Sequence, residues 1–115
     1  MIKVIYGGFN ESFFLGVYSE QGRKGLMNSS HQKRVDAVTN MFASVGGTMS
    51  SAHWLMGKYD VMAEVELDAY ETAAGIRDAM MMTNSWDELI FLAELDVDKV
   101  ISTLNKVTYP TPGSE

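Results

Sequence analysis

From Phe13 to Tyr18 the chain runs Phe-Phe-Leu-Gly-Val-Tyr, aromatic and β-branched, and Ser19-Glu20-Gln21-Gly22 closes it. That pattern predicts a short strand followed by a turn. From Ser29 the period lengthens. Ser29 and Gln32 have the spacing of a capping box, Val35, Val38, Phe42 and Val45 recur at three and four, and Gly46-Gly47 ends the run. This predicts an amphipathic helix closed by glycine. Thr48 to Met56 and Tyr59 to Leu67 are extended runs on either side of Gly57-Lys58, a pair that suits a two-residue type II′ hairpin turn. In the second run Val61, Ala63 and Val65 alternate with Met62, Glu64 and Glu66, giving one apolar and one acidic face. Asp68 and Glu71 repeat the capping spacing, and Ala69, Ala73, Ile76 and Met80 share a helical face that should end near Thr83-Asn84. Trp86 to Leu95 is the last predicted strand. Its centre, Leu89 to Ala93, is apolar without alternation, so Leu89, Phe91, Ala93 and Leu95 fall on one face and Ile90 and Leu92 on the other. Asp96 then caps a short helix with Val97, Val100, Ile101 and Leu104 on its inner side, and Pro110 and Pro112 keep the tail out of it.

Strand, helix, strand, strand, helix, strand is the ferredoxin-like βαββαβ order: α+β, with a four-stranded antiparallel sheet, helices on one face and here an extra C-terminal helix. The expected organisation is a single domain over residues 1–115, with a core at 13–96, an N-terminal arm at 1–12 and the helix and tail at 97–115. The two main helices cover one sheet face, while Ile90 and Leu92 make the other apolar as well. A homodimer or higher homo-oligomer built through that face is therefore expected. The C-terminal helix folded back as a lid is the rival cover.

Three stretches resemble the GYD domain family. They are Phe14-Leu15-Gly16-Val17-Tyr18-Ser19 with Gly22, Lys24 and Gly25 following, Trp54-Leu55-Met56-Gly57-Lys58-Tyr59-Asp60-Val61, and the strand, helix and strand after them. Gly57, Tyr59 and Asp60 carry the naming signature, and the resemblance spans about residues 13 to 96. It implies a ferredoxin-like subunit of the dimeric α+β barrel type and no settled activity.

Charge and composition narrow the function. A net charge of −6, with Arg23-Lys24 and Lys33-Arg34 as the basic pairs, argues against nucleic acid, and those pairs read as solvated helix faces. The chain has no cysteine, which excludes thiolate metal sites and Cys nucleophiles. No apolar run reaches membrane-spanning length, and the start is broken too early by Gly7-Gly8 for a signal peptide, so no membrane partner and a cytoplasmic location are expected. The chain has nine methionines; the consecutive Met80, Met81 and Met82 point in three directions on a helix, so they cannot converge on one ion and read as packing. No metal site is expected, and no cofactor is indicated.

The residue types favour a module that binds a small molecule or a protein partner, with Tyr18, Trp54, Tyr59 and Trp86 as candidate ligand-binding residues. Gly57 suits the turn and Asp60 a turn acceptor. The alternative is a small dimeric-barrel enzyme, monooxygenase-like or haem-binding, with a His/Tyr/Asp pocket. His53 and Asp60 would then be its acid-base pair beside Tyr59; some dimeric α+β barrels use a His, a Trp and an Asn, and the chain carries Trp54, Trp86 and Asn84 as well, at a spacing that reproduces no motif. His31 reads as a solvent-exposed residue in the first turn of its helix.

Overall fold

A computed structural model describes residues 10–115. The elements run β1 (Asn10–Tyr18), α1 (Glu20–Leu26), α2 (His31–Ala43), β2 (Thr48–Trp54), β3 (Val61–Leu67), α3 (Tyr70–Met81), β4 (Trp86–Ala93) and α4 (Val97–Lys106). Antiparallel pairing in the order β2-β3-β1-β4 gives the ferredoxin-like sheet, with α2 against β2 and α3 against β4 and β3 on one face. β1 starts at Asn10, inside the segment expected to be an arm; the remainder of that segment, residues 1–9, lies outside the described residues.

Alternation sorts the two faces as the pattern predicts. Ser12, Phe14 and Tyr18 of β1 face the helices together with Ala63, Val65 and Leu67 of β3 and Trp86 and Leu89 of β4, and all are buried. From α2 and α3 come Phe42, Ala73, Ile76 and Met80. Gly16 is needed where it stands, because a Cβ there would lie 2.5 Å from Cζ3 of Trp86; its absence lets the indole lie against the strand. On the opposite face the register aligns His53, Met62, Leu15 and Ile90 in one row and Ser51, Glu64, Phe13 and Leu92 in the next.

Four local expectations are corrected. Ser19 to Gly22 is not a turn but the start of α1, where the Ser19 hydroxyl accepts from Gly22 N at 3.1 Å as an N-cap. Ser30, not Ser29, caps α2, and Val45 lies beyond its end and is exposed. Asp68 does not cap α3; its carboxylate accepts from the Thr72 hydroxyl, and the N-cap position is Ala69, with no side-chain bond. Gly57-Lys58 is not a two-residue turn either: the strands end at Trp54 and resume at Val61, and Leu55 N donates to Asp60 O across the mouth of the loop between them.

The C-terminal helix forms as expected, with the Asp96 carboxylate accepting from Asp98 N and Lys99 N. Its apolar stripe does not face inward. No residue of α4 is buried, and Val97, Val100, Ile101 and Leu104 are 46 to 71% exposed. The helix projects from the sheet, consistent with a longest dimension of 60 Å for so small a domain.

Candidate functional site

The inner sheet face carries a run of rings. Trp54 ends β2, Tyr18 ends β1, Trp86 begins β4, and Phe14 and Phe91 follow along β1 and β4. Tyr18 stacks on Trp86 with centroids 4.2 Å apart, and Trp54 lies nearly parallel to Tyr18 at 6.3 Å. Phe14 meets Trp86 edge-on at 5.8 Å and Phe91 at 5.3 Å. Tyr18, Trp86 and Phe14 are core residues, whereas Trp54 keeps 45% of its surface exposed. Aromatic faces left partly open beside packed rings form a natural platform for an apolar ligand.

Over that platform lies the N-terminal half of α2. Between them is a shallow pocket, open to solvent, lined by Tyr18, Trp54, Trp86 and Phe14 with Val35, Val38, Met49 and Arg34. Its mouth is tied by a side-chain bond: the Trp54 indole N–H donates to His31 Nδ1 at 2.9 Å, linking the end of β2 to the start of α2. His31 is therefore exposed but partnered. Burial pushes the Tyr18 phenol above its ordinary pKa, opposed by the positive charge of the nearby Arg34 guanidinium; Asp60 adds to the upward push.

Asp60 sits at the edge of this assembly. Its Oδ2 accepts from Tyr18 N at 3.0 Å and from Arg23 Nη2 at 2.8 Å, while its own N–H donates to Gly16 O at 2.9 Å. The loop after β2 is thus clipped to the end of β1 and to α1, which fixes Tyr18 in the pocket wall. Gly57 has φ +134° with open space at its Cβ position, so the backbone alone explains the glycine.

Of the residues singled out from the sequence, Tyr18, Trp54 and Trp86 bring their rings to the pocket, while His53, between Ala52 and Trp54 at its edge, is turned by strand alternation to the other sheet face. Tyr59 and Asp60 are outside the lining, and the Tyr59 ring lies beneath the Lys58 ammonium, 5.4 Å from its centroid. His53 and Asp60 do not pair, since the register sets His53 opposite Met62 on the other face and the Asp60 carboxylate is taken by Tyr18 and Arg23. Asn84 is at the end of α3 with φ +62°, and its carbonyl accepts from the Ser19 hydroxyl. Among the described residues no His/Asp/Glu group is placed to hold a metal ion, and no helix is long and apolar enough to cross a membrane. Arg34 is not legible as a site residue in the basic pair that it forms with Lys33 in the sequence. Its spacing carried the signal, for Arg34 lies four residues before Val38 and eight before Phe42, on the edge of the stripe that packs on the sheet.

Fold and site define a small ferredoxin-like α+β domain with an aromatic pocket between sheet and helix. The family model described as the GYD domain matches residues 13–101, and the chain belongs to the GYD domain family. No curated protein matches it in sequence. Among solved structures, the crystal structure of FFRP-DM1 superposes with a TM-score of 0.48 at 14% identity, covering 75% of this chain and 99% of that one.

Proposed function

We propose that this chain is a self-associating domain that holds a small, largely apolar molecule in the pocket under α2. One observation carries the binding role: rings from three strands, Trp54, Tyr18 and Trp86, converge on a cleft whose other wall is Val35 and Val38 of α2. Aromatic and aliphatic walls with few polar groups are the usual chemistry of small-molecule sites. The dispersal of His53, Tyr59 and Asp60 supports a binding module over the acid-base alternative. The test is native mass spectrometry of gently purified protein with an absorption scan. A retained organic mass that is lost on denaturation is the expected result. A ligand-free protein whose thermal stability responds to no apolar fragment contradicts the reading.

Self-association rests on a separate observation. The sheet face without helices presents Phe13, Leu15, Met62, Ile90 and Leu92, with Leu92 49% exposed, and α4 does not cover it. Two unpartnered apolar surfaces on one small chain, that face and the α4 stripe, favour a second copy as their cover. Carboxylates of Glu64 and Glu66 lie on the same sheet face, while α4 carries Lys99 and Lys106, so a helix from the partner would bring the complementary charge.

A further inference from the structure

Arg34 gives the pocket a chemical preference. Among the lining residues it is the one side chain with a permanent charge, set into a wall otherwise made of rings and aliphatic groups. The ion pairs of the described residues join Arg23 to Asp60, Lys24 to Glu20 and Arg77 to Asp78, and Arg34 enters none of them. Its neighbour in the lining is the Tyr18 phenol, a neutral group. A half-buried guanidinium beside apolar surface, without a counter-charge, is left short of compensation that a bound anion can supply.

The form of the anion follows from what is missing and what is present. The lining offers no second permanent cation, and the chain is acidic overall at −6, so a polyphosphate or dianion would find little to hold it. A carboxylate matches one guanidinium fork in charge and in plane. The rest of the ligand must satisfy the indole of Trp54, 45% exposed at the mouth and nearly parallel to Tyr18 at 6.3 Å, which suits a flat ring. Resting on the binding role argued above, we propose that the pocket takes a small aromatic carboxylate, its ring against Trp54 and its carboxylate on Arg34.

The test compares near-isosteres: phenylacetate, phenylacetamide and phenethylamine, titrated by calorimetry and by tryptophan fluorescence at one pH and ionic strength. Phenylacetate should bind and perturb the emission, the amide should bind about tenfold or more weakly, as expected for loss of a charge-assisted hydrogen bond, and the amine should be weakest. Arg34→Gln should erase the difference between acid and amide, whereas Arg34→Lys, keeping the charge without the fork, should retain part of it. Equal binding of acid and amide by the wild type, or a preference that survives Arg34→Gln, overturns the carboxylate assignment and leaves the pocket as a site for neutral ligands. If none of the three binds and the tryptophan emission is unmoved, the pocket reading falls with it. Urea denaturation of each variant checks that it is folded. Should Arg34→Gln not fold, the wild-type series and Arg34→Lys decide the matter.

Discussion

Asp60→Ala tests whether the signature aspartate works through the backbone amide it accepts or through the cation it faces. The substitution removes one carboxylate that holds Tyr18 N at 3.0 Å and Arg23 Nη2 at 2.8 Å, and it leaves the main-chain bonds of Asp60 to Gly16 and Leu55 in place. Tyr18 is 6% exposed, so its N–H is left in a site that water reaches poorly. An unsatisfied buried donor costs about 1–3 kcal/mol. The Arg23 guanidinium is 57% exposed, and pairs of that kind contribute about 0–1 kcal/mol. Asp60→Ala should therefore destabilise the fold by about 1–4 kcal/mol, and Arg23→Ala by less than about 1 kcal/mol. Asp60→Asn, which keeps an acceptor for Tyr18, should fall between them. Urea unfolding followed by circular dichroism and tryptophan fluorescence measures all three. If Arg23→Ala costs as much as Asp60→Ala, or Asp60→Ala is within about 0.5 kcal/mol of wild type, the amide clip is not what the aspartate provides.

Gly57→Val should destabilise by about 1–3 kcal/mol through backbone strain alone, given φ +134° and open space around the position; an unchanged urea midpoint would refute this. Tyr18 has a folded pKa above its unfolded value, so the stability it contributes is complete below about pH 10 and lost as pH rises through the folded value. Stability measured from pH 9 to 11 should fall less steeply in Tyr18→Phe than in wild type, and identical slopes would contradict the assignment. Ile90→Arg or Leu92→Arg should convert a dimer into a monomer with secondary structure retained, and removal of residues 97–115 should weaken the same association. Light scattering at micromolar concentration reads both, and a wild-type monomer persisting at high concentration would refute self-association.

Period was the most legible feature of the chain. Val61, Ala63 and Val65 inward against Met62, Glu64 and Glu66 outward follows from alternation alone, as does the division of Leu89 and Phe91 from Ile90 and Leu92. The Asp96 cap is equally local. The hairpin misled because its turn is decided at long range: Asp60 bonds Tyr18 and Gly16, more than forty residues away, and this draws residues 55–60 off the ladder into a loop. The short helix α1 has no fully buried residue, so little apolar periodicity announces it; the Ser19 cap and the packing of Leu26 against the core hold it instead. At the site, residue type was visible and convergence was not, because Tyr18, Trp54 and Trp86 come from separate strands that only the sheet order β2-β3-β1-β4 brings together.

The most direct test of the binding role uses the two tryptophans of the chain, Trp54 and Trp86, both of which line the pocket. Their indole N–H resonances in an isotope-labelled sample are few and well separated from backbone signals, and the Trp54 proton carries the bond to His31. Titration with phenylacetate and a pool of apolar fragments should shift both resonances in a saturable manner. Shifts confined to the other cleft, where Tyr70, Ala73, Arg77 and Leu92 meet, with both indoles unmoved at saturation, would contradict the account.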